Sequence, residues 1–214
     1  MLPATLQNVD LVASVRLPGQ NLVTIEGESK ISEAGGQIET IALNPMEAAA
    51  YGESIQAILD ADLVVIGPGS LYTSILPNLL VKGIAEALRA THAFKVYVCN
   101  VATQPGETEN YTVADHVIAL ENHIGRGVFQ AVLANNVHPT WNAGSNTRYV
   151  QLAPPHHEIF QRYDVRYTDL TDTERPWRHD PFKLAEALLS LSQEEKIGGI
   201  AKPVLSESGR PVAI

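Results

Sequence analysis

Apolar positions along this chain fall first into short alternating runs and then into a regular succession of strand-length and helix-length segments. Val9–Val15, Leu22–Glu26 and Ile38–Leu43 are short apolar or alternating stretches, separated by Pro18-Gly19 and by Gly35-Gly36. Proline and glycine at those points are turn signals, so the stretches predict a strand-rich N-terminal portion. From Pro45 to Asp60 the chain is Ala-rich and reads as helix. Asp62–Ile66 is a continuous apolar run, the pattern of a parallel strand covered on both faces. Leu79–Ala90 carries Leu80, Ile84, Ala87 and Leu88 on one helical stripe, and Lys95–Asn100 is the next strand. Thr112, with Asp115 three residues later, predicts a helix start of the capping-box kind. Val128–Ala134 reads as strand, and Tyr149–Leu152 and Val165–Tyr167 as two shorter ones. Asp180-Pro181 supplies a cap and a first-turn proline for a helix to about Leu191.

Strand, helix, strand, helix, strand is the order of right-handed crossovers on a parallel sheet. The expected architecture is a doubly wound α/β fold, a Rossmann-like three-layer arrangement with a mainly parallel sheet and a strand-rich N-terminal portion. Residues 1–195 form one domain in this reading. Residues 196–214 form a tail punctuated by glycine, proline and serine, read as an arm or a disordered segment.

Composition narrows the function classes. Hydrophobic residues make up 45% and charged residues 18% of the 214, ordinary values for a globular chain. The net charge of −9 lacks the basic footprint that nucleic-acid binding needs. An anionic ligand must then be held locally, by backbone N–H groups and a few placed cations. Cys99 is the single cysteine, which rules out a disulfide framework within the chain, fits a reducing compartment, and reads as a small buried hydrophobe. No run approaches the roughly 20 apolar residues of a membrane span, and MLPATLQNVD lacks the features of a secretory signal. The expected location is cytoplasmic.

In open parallel sheets ligands bind outside the carboxyl ends of the strands, which singles out two loops. The first, Gly67-Pro68-Gly69-Ser70-Leu71-Tyr72-Thr73-Ser74, has glycines that allow close backbone approach and hydroxyls that donate. Backbone N–H groups ahead of a helix suit an anion, and a plain structural turn is the competing reading. The loop matches neither the P-loop nor the dinucleotide fingerprint. The second, Asn100–Tyr111, offers Asn100, Thr103, Gln104, Glu107 and Thr108 for hydrogen bonds to a base, ribose or sugar, against the reading of a solvated loop. Following consecutive strands, the two loops are expected to share a cleft. His116 and His123 fall on one helical face but lack metal-ligand spacing, and His156-His157 reads as an exposed turn. Arg178 suits phosphate, and Asp180 reads as the cap of the last helix. No nucleophile elbow, metal cluster or catalytic dyad is legible.

Two segments carry a further signal. DLVVIGPGSLYTSILPNLLVKGIAEAL and KVYVCNVATQPGETENYTVADHV, together with LPATLQNVDLVA, EGESKI and RHDPFKLAEALL, resemble YvcK-type proteins, the gluconeogenesis factors of the CofD-like superfamily, over roughly residues 2–190. The resemblance implies a CofD-like α/β fold. It also implies a cytoplasmic regulator, without turnover, that binds a UDP-N-acetylglucosamine-like nucleotide sugar and is needed for cell shape and growth on gluconeogenic carbon sources. The alternative it carries is a 2-phospho-L-lactate-type transferase using a nucleotide diphosphate donor, and only that reading calls for Mg²⁺. A third reading is a purely structural or interaction protein in morphogenesis. Homo-oligomerisation stays open. Carried over residue by residue, Gly67, Gly69, Ser70, Tyr72 and Thr73 match the family's first loop, and Asn100, Gln104, Pro105, Gly106, Glu107 and Thr108 its second. Arg178 matches an arginine implied in UDP-sugar binding, and a tyrosine of that site is assigned to Tyr163. Family members begin with a strand and a G-G-G-T-G loop at the nucleotide site, which this sequence does not contain. The expected consequences are weakened binding and an exposed sheet edge.

Overall fold

The computed structural model describes residues 1–19, 21–140 and 147–201, the last four by their backbone alone. Two sheets organise it. The first is antiparallel, in the order β2-β1-β3, from β1 (Asp10–Arg16), β2 (Leu22–Glu26) and β3 (Gln37–Asn44). Its strands alternate as half-buried strands should, with Leu11, Ala13 and Val15 of β1 turned inward. A register shift opposite Ser14 and Val15 places the inward residues of β3 at Ile38, Ile41 and Leu43, three apart across the bulge.

The second sheet is parallel, in the order β4-β5-β6-β7, from β4 (Leu63–Ile66), β5 (Phe94–Val98), β6 (Ala131–Asn135) and β7 (Asp164–Thr168). Every residue of β6 is buried, as its place between two strands and two covered faces requires. On one face Val96, Ala131 and Leu133 pack with Leu184, Ala187 and Leu191 of α7 (Pro181–Ala201). On the other face Tyr97, Val132 and Ala134 pack with α4 (Ile84–Ala90) and α5 (Val113–Ile124), against which the antiparallel sheet is also laid. The result is the expected α/β architecture, helices on both faces of a parallel sheet. β4 is an edge strand; Val65 on it is exposed, and an apolar recess of about 420 Å³ lies beside it.

Several local expectations are corrected. The helix predicted over Pro45–Asp60 is confined to α2 (Gly52–Leu59), because the segment before it is extended. There Ala50 N–H donates to the Lys82 carbonyl and Lys82 N–H to the Ala48 carbonyl, a pairing that overrides Ala-rich propensity. The helix predicted over Leu79–Ala90 is divided. A π-turn (Leu71–Ile75) runs into α3 (Leu76–Leu80), Val81 is extended, and Gly83 at φ 101° starts α4 with its N–H held by Glu86. Tyr149–Leu152 forms only single bridges, to Ala102 and Thr112. Two short helices, α1 (Glu28–Glu33) and α6 (Ile159–Arg162), were not foreseen, and α7 runs to Ala201 rather than Leu191. Both caps fall where they were read. Thr112 and Asp115 exchange bonds at the start of α5, and Asp180 accepts from Phe182 and Lys183 N–H. Residues 202–214, most of the expected tail, lie outside the described residues. Among the described residues no helix is long and apolar enough to cross a membrane.

Candidate functional site

The loops after β4, β5 and β7 open at the same end of the parallel sheet and enclose a cleft of about 710 Å³. From the first loop come Gly69 and Ser70, from the second Asn100, Thr103 and Gln104, and from the segment leading into α7 come Trp177, Arg178 and His179. The topology explains the convergence, since in a parallel sheet every carboxyl strand end points the same way.

The side chains lining the cleft are held from below. Asn100 Nδ2 donates to the Gly69 carbonyl at 2.9 Å and ties the first loop to the second. Gln104 Nε2 donates to Glu107 at 2.8 Å. Because a carbonyl and a carboxylate can only accept, both amides must turn their NH₂ groups inward. Their oxygens, which have no partner among the described residues, are left for a ligand. His179 donates Nε2–H to the Cys99 carbonyl at 3.2 Å, and burial pulls its pKa below the ordinary 6.5, so the ring is neutral near pH 7. Arg178 is exposed and makes no ion pair among the described residues. It is the one charged group lining the cleft there, in a chain of net charge −9.

Other residues expected at the site do structural work instead. Glu107 is 3% exposed. Its carboxylate accepts from Tyr72 N–H at 3.0 Å, Thr73 Oγ1 at 2.6 Å and Gln104 Nε2 at 2.8 Å, with Ser32 Oγ at a longer 3.4 Å. It therefore clamps the π-turn, the second loop and α1 together. Tyr72 is buried with its hydroxyl 2.8 Å from that of Tyr111. Gly106, at φ 82°, lies so close to α1 that a Cβ would stand 2.0 Å from the Ser32 carbonyl oxygen. Thr108, fully buried, accepts from Gln104 N–H at 2.9 Å. Gly67, at φ 84°, makes the turn out of β4 and faces the recess beside that strand.

Tyr163 is not part of the cleft. It immediately precedes β7, at the amino end of the sheet, stacked on Phe129 at 4.6 Å with its hydroxyl donating to Glu121 at 2.7 Å. Arg162 completes that buried cluster through two bonds to the same carboxylate. No tyrosine is among the cleft's described lining residues; Tyr149, near the second loop, bridges Ala102 through its backbone and stacks its ring on His138 at 4.8 Å. Trp177 went unnoticed in the sequence. Its place beside Arg178, on a loop leaving the carboxyl end of a strand, was the available signal.

His116 and His123 both lie on α5 and are placed by bonds to its own backbone. His116 is buried with Nδ1 on the Thr112 carbonyl, while its Nε2 is buried without a hydrogen-bond partner among the described residues. His123 donates Nδ1–H to Ala119 and accepts from Ile41 N–H at Nε2, joining α5 to β3. Cys99 is fully buried and its thiol is pushed up to about 12 by desolvation.

Helices on both faces of a parallel sheet and a polar cleft at its carboxyl end define an α/β protein, with the strand order β4-β5-β6-β7 running in sequence rather than reversing as in a doubly wound sheet. Comparison with known proteins then gives the family. The profile of the family described as 2-phospho-L-lactate transferase CofD matches residues 1–172. The gluconeogenesis factor of Bacillus subtilis is 48% identical over 136 residues, covering 64% of this chain and 42% of that protein. That of Halalkalibacterium halodurans is 45% identical over 135 residues, covering 63% and 41%. A crystal structure of a Bacillus halodurans protein of the UPF0052 family superposes with a TM-score of 0.79 at 35% identity, covering 88% of this chain and 61% of that one. The chain belongs to the CofD family, in its gluconeogenesis-factor branch, and spans less than two thirds of the length of these relatives.

Proposed function

We propose that the cleft binds a nucleotide sugar of the UDP-N-acetylglucosamine kind, and that the protein acts as a gluconeogenesis-factor-type regulator in the cytoplasm, without turnover, in growth and cell shape. One observation carries the binding reading. Arg178, without an ion pair among the described residues, faces a cleft whose other described lining residues are uncharged. A guanidinium so placed gives a diphosphate a planar fork of donors, while the oxygens of Asn100 and Gln104 accept from sugar hydroxyls. The volume of about 710 Å³ lies within the ordinary range for small-molecule sites.

The second reading, group transfer of the CofD kind, is favoured by the family's description. The carboxylates that would serve it are engaged elsewhere: Glu107 in its clamp and Asp115 in capping α5. Among the described residues no group of three His, Cys, Asp or Glu could hold a metal ion, and no step is drawn through one.

The test is thermal unfolding and calorimetry with UDP-N-acetylglucosamine, UDP and GDP, with and without magnesium. Ligand at 100 times its dissociation constant adds about 2.7 kcal/mol of stability. Arg178→Ala is expected to weaken UDP-sugar binding by about 1–3 kcal/mol, the scale of a lost charge-assisted bond. An unchanged affinity removes Arg178 from the site, and magnesium-dependent product formation moves the protein to the transferase reading.

A further inference from the structure

The cleft has two chemically different walls. The wall formed by the loops after β4 and β5 is polar and, because its amide NH₂ groups are spent on Gly69 and Glu107, presents acceptor oxygens at Asn100 and Gln104. The opposite wall carries Trp177, 43% exposed, directly before the arginine that faces the same space. Among the described lining residues the only other aromatic ring is His179, which is partly buried and bonded to Cys99. A partly exposed indole lining a ligand cleft offers apolar area that a planar group covers on stacking.

Resting on the nucleotide-sugar reading, we infer that Trp177 stacks on the nucleobase, with Arg178 beside it on the diphosphate and the sugar against the acceptor wall. Sugar hydroxyls are donors and match the oxygens of Asn100 and Gln104. A nucleobase presents a π face that those oxygens do not recognise and that indole does. This arrangement assigns Trp177 to binding of the nucleotide half, with tolerance for the particular base, because every base offers a face. Sugar discrimination then falls to the opposite wall.

The experiment uses the full chain carrying Trp141→Phe, so that Trp177 is the sole tryptophan, titrated by fluorescence and calorimetry with UDP-N-acetylglucosamine, UDP and N-acetylglucosamine 1-phosphate. UDP and the UDP-sugar are expected to quench the emission to the same extent, and the sugar phosphate to leave it unchanged. Trp177→Ala on that background should raise the dissociation constants of UDP and the UDP-sugar together by roughly 5- to 150-fold, the measured range for base stacking. Trp177→Phe should recover most of the loss. Ligand-free thermal unfolding checks that both variants are folded. If Trp177→Ala binds UDP as its parent does, the stacking role is overturned while the nucleotide-sugar reading stands. Quenching by the sugar phosphate and not by UDP overturns it too, placing the indole on the sugar. A parent protein that binds none of the three overturns both.

Discussion

Glu107 is the residue at which a binding role and a structural role make the most divergent predictions. Glu107→Ala deletes a buried acceptor of three good hydrogen bonds, from Tyr72 N–H, Thr73 Oγ1 and Gln104 Nε2. Gln104 borders the cleft and can turn to water. The other two donors sit in buried residues, Tyr72 at 2% and Thr73 at 9% exposure. Each orphaned donor costs about 1–3 kcal/mol, so the substitution is expected to remove about 4 kcal/mol, or about 8–16 °C of Tm for a chain of this size. Glu107→Gln keeps the volume but sets an NH₂ group against at least one donor, for about 1–3 kcal/mol. Urea and thermal unfolding should therefore rank wild type above Glu107→Gln above Glu107→Ala. UDP-sugar affinity of the glutamine variant, measured below its melting point, should fall less than that of Arg178→Ala. Refutation has a definite form: Glu107→Ala within about 0.5 kcal/mol of wild type, or Glu107→Gln losing affinity at unchanged stability. Either would return the carboxylate to the ligand site.

Two further outcomes follow from other buried groups. Tyr163→Phe removes the hydroxyl that donates to Glu121 and is expected to cost about 1.5–3 kcal/mol in chemical unfolding, the range for a bond to a charged group. UDP-sugar affinity by calorimetry should be unchanged, and a loss would restore Tyr163 to the site. The pKa of His123 is lowered from 6.5, chiefly by desolvation, so the unfolded chain takes the proton more readily. Its contribution is complete above pH 6.5 and is lost as pH falls through the lower folded value, by up to about 1.4 kcal/mol per pH unit per proton. Stability should drop between pH 7.5 and 5.5, and less steeply in His123→Gln. His116 and His179 are shifted the same way and keep the remaining slope. An equal loss in wild type and variant would show that His123 does not titrate on unfolding.

The parallel sheet was legible chiefly from β4 and β6, which are apolar without alternation, the signature of burial on both faces, whereas the edge strand β7 alternates as Asp164, Val165, Arg166 and Tyr167. The caps at Thr112 and Asp180 were legible because a cap is a local, side-chain-to-backbone event. What local sequence does not carry is partnership at a distance. Ala48–Ala50 is helical by propensity and extended in fact, because Lys82 pairs with it. Gly83 and Val81 interrupt a clean helical stripe, with Ile84 and Leu88 still buried on the far side. The cleft was half legible. The strand-end rule found Gly69, Ser70, Asn100 and Gln104, and the phosphate chemistry of arginine with the family resemblance added Arg178; the structure brings all five together. It could not say that Tyr163 stands at the amino end of β7, where a ligand at the carboxyl ends is out of reach.

The division of labour within the second loop shows how an acidic chain can keep an anion site. Glu107 is the carboxylate of that loop closest to the cleft in sequence, and its charge would oppose a phosphate if it faced outward. It faces inward because donors of the π-turn and of Gln104 bind it there, and Gly106 lets the loop press close enough to α1 for Ser32 to approach. Gln104 N–H, held by Thr108, and Thr108 N–H, held by the Gln104 carbonyl, lock the same turn from its other side. One short segment thus spends Gly106, Glu107 and Thr108 on holding itself and frees Asn100 and the oxygen of Gln104 for the cleft. The inward turn of Glu107 is also what leaves Arg178 the only charge among the cleft's described lining residues. Stability of the loop and the sign of the field in the cleft therefore depend on the same carboxylate, and a variant that frees it from the clamp should lose both together.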